Sequence, residues 1–172
     1  MDRIDGSEEI YLIGCSRSVL DLKPADRERI NRARCVLALN KFVYFRRLAG
    51  IMPTHVWFAE DHPPNPQILD DIFAECRRSR TRNVTFILSQ NQKFFIRKGR
   101  ARYFLGCVRR AVRRKRKSFW RLAHAPGGCH YEFVRRHDWL TGGTWAKSLD
   151  EPLYNLRTSF TSALNYMAIR YP

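Results

Sequence analysis

No run in the 172-residue chain approaches the roughly 20 consecutive apolar residues that a helix needs to span a bilayer, so any membrane contact is expected to be peripheral. The polar, acidic opening MDRIDGSEE lacks the apolar stretch of an export signal. Cysteine is sparse and unpatterned: Cys15, Cys35, Cys76, Cys107 and Cys129 are odd in number and widely spaced, with no CxxC pair. That excludes a disulfide-stapled secreted scaffold and points to a reduced, cytoplasmic setting. Acid is scarce as well, with 16 Asp and Glu against 32 Lys and Arg and a formal charge of +16. Such an excess attracts polyanions, whether nucleic acid, anionic lipid headgroups, or phosphorylated and acidic saccharides. There is no internal repeat.

What is present suffices for one ordinary domain with a real core, since 44% of residues are apolar and 13% aromatic. The chain is organised around IYLIGCSRSVL, residues 10 to 20. Ile10, Tyr11, Leu12 and Ile13 read as a buried parallel strand, and Gly14 as the residue that permits a tight turn and close ligand approach. Small Cys15, Ser16 and Ser18 follow, whose backbone N–H groups and hydroxyls could hold phosphate or ribose. Leu22 to Arg34 reads as a short helix opened by Pro24. Cys35 to Leu39 is a second strand with Asn40 at its carboxyl end, where ligands of open α/β sheets gather, although Asn also closes turns of its own backbone. His55 to Ala59 is a third strand, ending in Glu60 and Asp61, which read as a helix cap or a solvated loop before an acid/base pair.

After the DHPPNP loop, Ile68, Leu69, Ile72, Phe73 and Cys76 fall at helical spacing within Gln67 to Arg80, and Val84 to Leu88 is a fourth strand. Short apolar strands alternating with helix-like segments predict an α/β fold: a Rossmann-like parallel sheet flanked by helices. A basic helical or irregular excursion follows, spanning about 91–150 within a single 1–172 domain. Its RRAVRRKRK run, with Phe119 and Trp120 beside it, suits a solvated face, anionic lipid, a phosphorylated saccharide or nucleic acid. HAPGGCHYEF and DWLTGGTWAKSLDEPLYN read as irregular connections near a binding cleft. Thr158 to Arg170 reads as a final helix, with Ser159 or Thr161 near its start.

Other chemistries are weaker. His124, Cys129, His130 and His137 fit no zinc spacing, and no metal or other cofactor is expected. Cys15 reads as a small buried cysteine without a base at a diagnostic distance. Among the histidines, His130 is the most attractive base, because it sits in a Gly-Gly loop beside Tyr131.

Three stretches carry a family resemblance: IYLIGCSRSVL, LALNKFVYF and LRTSFTSALNYMAIRYP. Together they resemble the bacterial sialyltransferases of glycosyltransferase family 42 and the related Rossmann-like domains of motility accessory factors and hydroxymethylpterin pyrophosphokinase-like proteins. Gly14 and Ser18 match the family's G-N-G-P-S-L turn, with Leu20 one position beyond its final Leu, whereas Cys15, Ser16 and Arg17 replace Asn, Gly and Pro. The resemblance implies a glycosyltransferase, sialyltransferase-like, that uses a nucleotide sugar such as a cytidine monophosphate-linked sugar and a saccharide or glycolipid acceptor at the inner membrane face. It implies a pocket lined by Gly14, Cys15, Ser16, Ser18, Asn40, Glu60, Thr158 and Ser159, with Arg157 near phosphate or sugar carboxylate. The family's remaining strand end, tyrosines and histidine base would fall after Pro172. The expected alternatives are therefore an inactive truncated glycosyltransferase, or a non-catalytic basic module binding nucleic acid or another polyanion.

Overall fold

The computed structural model describes residues 8–59, 66–94, 96–97, 123–138, 140–156 and 158–172. Its centre is a five-stranded, all-parallel sheet flanked by helices, the α/β architecture expected from the alternating pattern. The strands are β1 (Ile10–Ile13), β2 (Cys35–Leu39), β3 (His55–Phe58), β4 (Thr85–Ser89) and β7 (His130–Val134), hydrogen-bonded in that order. Helices α1 (Pro24–Asn31), α2 (Arg46–Ala49), α3 (Pro66–Arg78) and α4 (Ser159–Arg170) complete the main body. A small parallel pair, β5 (Ile96–Arg97) and β6 (Ala123–His124), lies apart from the sheet, with β6 against α3. The basic run 109–117 falls outside the described residues.

Strand register separates the sheet into two faces, because side chains alternate along each strand. Val36, Ala38, Val56, Phe58, Phe86 and Leu88 share one face. Ile30 of α1, Phe42, Ala49 and Ile51 of the β2–β3 connection, and Leu69, Ile72 and Phe73 of α3 pack there. Cys35, Leu37, Leu39, Trp57 and Ile87 share the other face, covered by Ala163, Tyr166 and Met167 of α4 together with Ala146 and Leu153. A progressive strand order connected by right-handed crossovers must keep its connections on one face, and α1, α2 and α3 obey this. The second face is left to α4 and the segment before it.

That segment is pinned by polar contacts rather than by regular structure. Fully buried Asn165 accepts the N–H groups of Ala146 and Tyr154, both at 2.9 Å, and donates to the Ala146 carbonyl at 2.9 Å. Asn155 donates to the His137 carbonyl at 3.0 Å and accepts from Ser162 at 3.1 Å. Gly143 turns at φ 67°, and a Cβ there would meet the His137 ring at 2.1 Å, so glycine is required on both counts.

Two expectations are corrected. Residues 130–134, read as irregular, form the fifth strand, because β4 offers a parallel ladder that an alternating HYEFV can complete. The opening strand is an edge strand, only partly buried, since β2 is its one neighbour among the described strands. Among the described residues no helix is long and apolar enough to cross a membrane.

Candidate functional site

In parallel sheets the loops that follow the strands meet at the carboxyl edge, and polar groups placed there face incoming ligands. Asn40 directly follows β2 with a left-handed backbone, φ 48°, a conformation that Asn tolerates better than most residues. Its Oδ1 is buried and has no hydrogen-bond partner among the described residues. The amide oxygen therefore does not close a turn of its own, which was the competing reading.

Two strands away, roughly 10 Å across the sheet by ordinary strand spacing, Ser89 ends β4 at 4% exposure. Gln92, 0% exposed, folds back from the following 3-10 helix and accepts the Ser89 N–H through Oε1 at 2.6 Å. Gln92 Nε2 and Ser89 Oγ then have no partner among the described residues. A buried polar atom without a partner costs about 1–3 kcal/mol, so three of them along one sheet edge form a concentrated demand for hydrogen bonds. The other such atoms, Arg27 Nε, Arg46 Nε and Trp57 Nε1, lie on α1, on α2 and within β3. Sequence reasoning ended the fourth strand at Leu88 and missed both Ser89 and Gln92.

The Gly14 turn adjoins Asn40 but differs from expectation. Gly14 is not among the positive-φ residues, and a Cβ built on it would meet nothing within 4 Å. The turn therefore does not need glycine for its own conformation, and the space above it is open. Ser16 caps the 3-10 helix Arg17–Asp21, and the Ser18 hydroxyl donates to Ser16 Oγ at 2.9 Å, so these hydroxyls partner each other. Cys15 is exposed rather than buried as expected, since it sits on the open turn. Its thiol donates to the Leu39 carbonyl at 3.2 Å and partial desolvation raises its pKa, which argues against a nucleophilic thiolate.

At the other end of the chain, the Thr158 hydroxyl caps α4 by accepting the Phe160 N–H at 2.8 Å. Among the described residues no hydrogen bond ties Thr158 or Ser159 to the Gly14 turn or to Asn40. Glu60, Asp61 and Arg157 lie outside the described residues. His130 begins β7 opposite Thr85, at the amino edge of the sheet, which removes it as a base for chemistry at the carboxyl edge. Among the described residues no group of three or more His, Cys, Asp or Glu is arranged to hold a metal.

A shallow cleft of about 460 Å³ flanks β7, with Glu132, Leu149, Asp150 and Arg170 on its walls, and reaches the carboxyl edge at Gln90 and Arg135. Much of its charge is internally matched: Arg170 pairs with Glu132, which also accepts the Tyr166 hydroxyl at 2.8 Å. Gly14, Asn40 and Ser89 do not line it. The buried atoms at the strand ends are the stronger candidate anchors, because Glu132 and Arg170 of the cleft already pair with each other.

The fold and these strand ends define a parallel α/β protein with a polar carboxyl edge. Compared with known proteins, the chain matches no family model, no curated protein and no solved structure.

Proposed function

We propose that the carboxyl edge between β1 and β4 binds a nucleotide or nucleotide sugar, with Asn40, Ser89 and Gln92 as its buried polar anchors. The observation that carries this reading is that Asn40 Oδ1, Ser89 Oγ and Gln92 Nε2, at the ends of two strands of one sheet, are each buried and unpartnered among the described residues. An amide oxygen, an amide N–H and a hydroxyl together supply donors and acceptors suited to a base or ribose. The open space over Gly14 leaves room for phosphate near backbone N–H groups. By the family resemblance, Glu60, Arg157, Thr158 and Ser159 extend the same pocket.

The activity consistent with that resemblance is glycosyl transfer at the cytoplasmic side of a membrane. An acceptor hydroxyl attacks the anomeric carbon, the bond from that carbon to the phosphate oxygen breaks, and nucleoside monophosphate leaves. The acceptor's proton passes to a base that the described residues do not assign, and Arg157 offsets the charge on the departing phosphate. The cleft beside Arg135 offers room for an acceptor.

Calorimetric titration with cytidine monophosphate tests the binding step. Saturable binding is expected, weakened about 10-fold in Asn40→Gly and in Ser89→Ala, each loss equivalent to one hydrogen bond. Absence of saturable binding, or variants that bind as well as wild type, would overturn it. The formal charge of +16 favours a second reading, a polyanion-binding module. That reading predicts tight association with single-stranded nucleic acid, falling steeply with salt and indifferent to Asn40.

A further inference from the structure

We propose that Phe45, Leu48 and Met52 form a docking ridge for an anionic phospholipid bilayer. These side chains are 46%, 67% and 57% exposed, although each is large and apolar. They sit on the connection between β2 and β3, whose other apolar residues Phe42, Val43, Ala49 and Ile51 already fill the core. The ridge therefore has no inward position to take. Its backbone is held on both sides. The Tyr44 hydroxyl donates to the Ile68 carbonyl at 3.3 Å, while Asn31 donates to the Gly50 carbonyl and accepts the Met52 N–H, both at 2.8 Å.

The charge carried by this connection itself is of one sign, although Asp71 and Glu75 of α3 lie close enough to act on Tyr44. Residues 40–59 contain no Asp or Glu. Arg46 turns inward to Ser79, just past α3, but Lys41 and Arg47 of the same connection remain exposed. A second copy of the chain, itself of formal charge +16, would set like-charged molecules against each other. Nucleic acid would satisfy the cations, yet bases stack on aromatic faces and two of the three ridge residues are aliphatic. An anionic bilayer matches both features: headgroup phosphates meet Lys41 and Arg47, and the acyl boundary receives Phe45, Leu48 and Met52. The ridge belongs to the face opposite α4, and its role does not depend on what the carboxyl edge binds.

Sedimentation of the full chain with vesicles of phosphatidylcholine, alone or mixed with phosphatidylserine, tests the assignment at about 0.15 M salt, where long-range attraction is largely screened. Binding to the mixed vesicles is expected, weakened about 10-fold or more when Phe45, Leu48 and Met52 are all replaced by Ser. Circular dichroism of that triple variant should match wild type, because the side chains are exposed. Independently, Leu48→Trp should add fluorescence that is quenched by acyl-chain-brominated lipid in the mixed vesicles, a readout that survives even if the triple variant misfolds. No binding by wild type, equal binding by the triple variant, or an unquenched Leu48→Trp would overturn the proposal. So would a wild-type dimer, or a nucleic-acid complex, that the triple variant abolishes.

Discussion

Asn40 carries two separable properties, a left-handed backbone and a buried amide oxygen without a partner among the described residues. Substitution with Gly removes the amide while keeping the backbone at ease, whereas Val adds a β-branched side chain where φ is positive. Asn40→Gly is therefore expected to melt close to wild type, and Asn40→Val lower by roughly 2–8 °C, the equivalent of 1–2 kcal/mol in a chain of this size. Thermal denaturation of the pair checks this, and similar melting of both variants would contradict it. Asn40 was legible in the sequence because it directly follows an apolar run and strand ends gather ligands. Ser89 and Gln92 were not: their burial depends on Gln92 folding back onto the Ser89 N–H, a tertiary event that no local spacing announces.

Among the elements, β2, β3 and α3 were legible because apolar runs and helical spacing mark buried surfaces directly. By contrast, β7 was hidden, since His130 and Glu132 interrupt its apolar character and glycines precede it. The attachment of α4 likewise rests on polar residues that periodicity passes over. Asn165→Ala removes three hydrogen bonds and leaves the Ala146 and Tyr154 groups unsatisfied. It should cost about 3 kcal/mol and lower the melting temperature by roughly 6–12 °C; a loss under about 1 kcal/mol would show that the loop re-pairs. The far end of α4 makes a second attachment. The Tyr171 hydroxyl lies 3.3 Å from His55 Nε2, while His55 Nδ1 lies 2.9 Å from Thr54 Oγ1 and 3.4 Å from Cys35 Sγ. Burial lowers the His55 pKa, opposed by Glu132 and reinforced by Arg170. A depressed histidine contributes stability that is fully present above its unfolded value near 6.5, and that is lost as pH falls through this value toward the folded one. Wild type should therefore lose stability between pH 7.5 and 5.5, and His55→Phe should flatten that slope. Glu9, whose pKa is lowered first by its bond to Arg29 and next by Tyr11, acts in a more acidic window. Parallel slopes for the two proteins would remove His55 from the account.

At the scale of the molecule, the two faces have separate covers and should open separately. Cys76 lies beneath the cover on the α3 side, its thiol pushed up to about 11 by burial, while Cys35 lies under α4 near Tyr171. Detachment of α4 exposes Cys35 without disturbing Cys76, because a cover held by one helix opens at lower cost than the whole fold. In mild urea, alkylation followed by mass spectrometry should modify Cys35 before Cys76; simultaneous modification would show that the two faces open together.

The progressive strand order also has a consequence for synthesis. β2, β3 and β4 each dock beside the strand made just before, so the growing sheet needs no distant partner as the chain leaves the ribosome. The cover on the other side of Leu37, Trp57 and Ile87 comes last, from Ala146, Leu153 and the final helix α4. Until residues 159–170 emerge, a half-built sheet presents that apolar face to the cell, and this interval is when a nascent chain would need a chaperone.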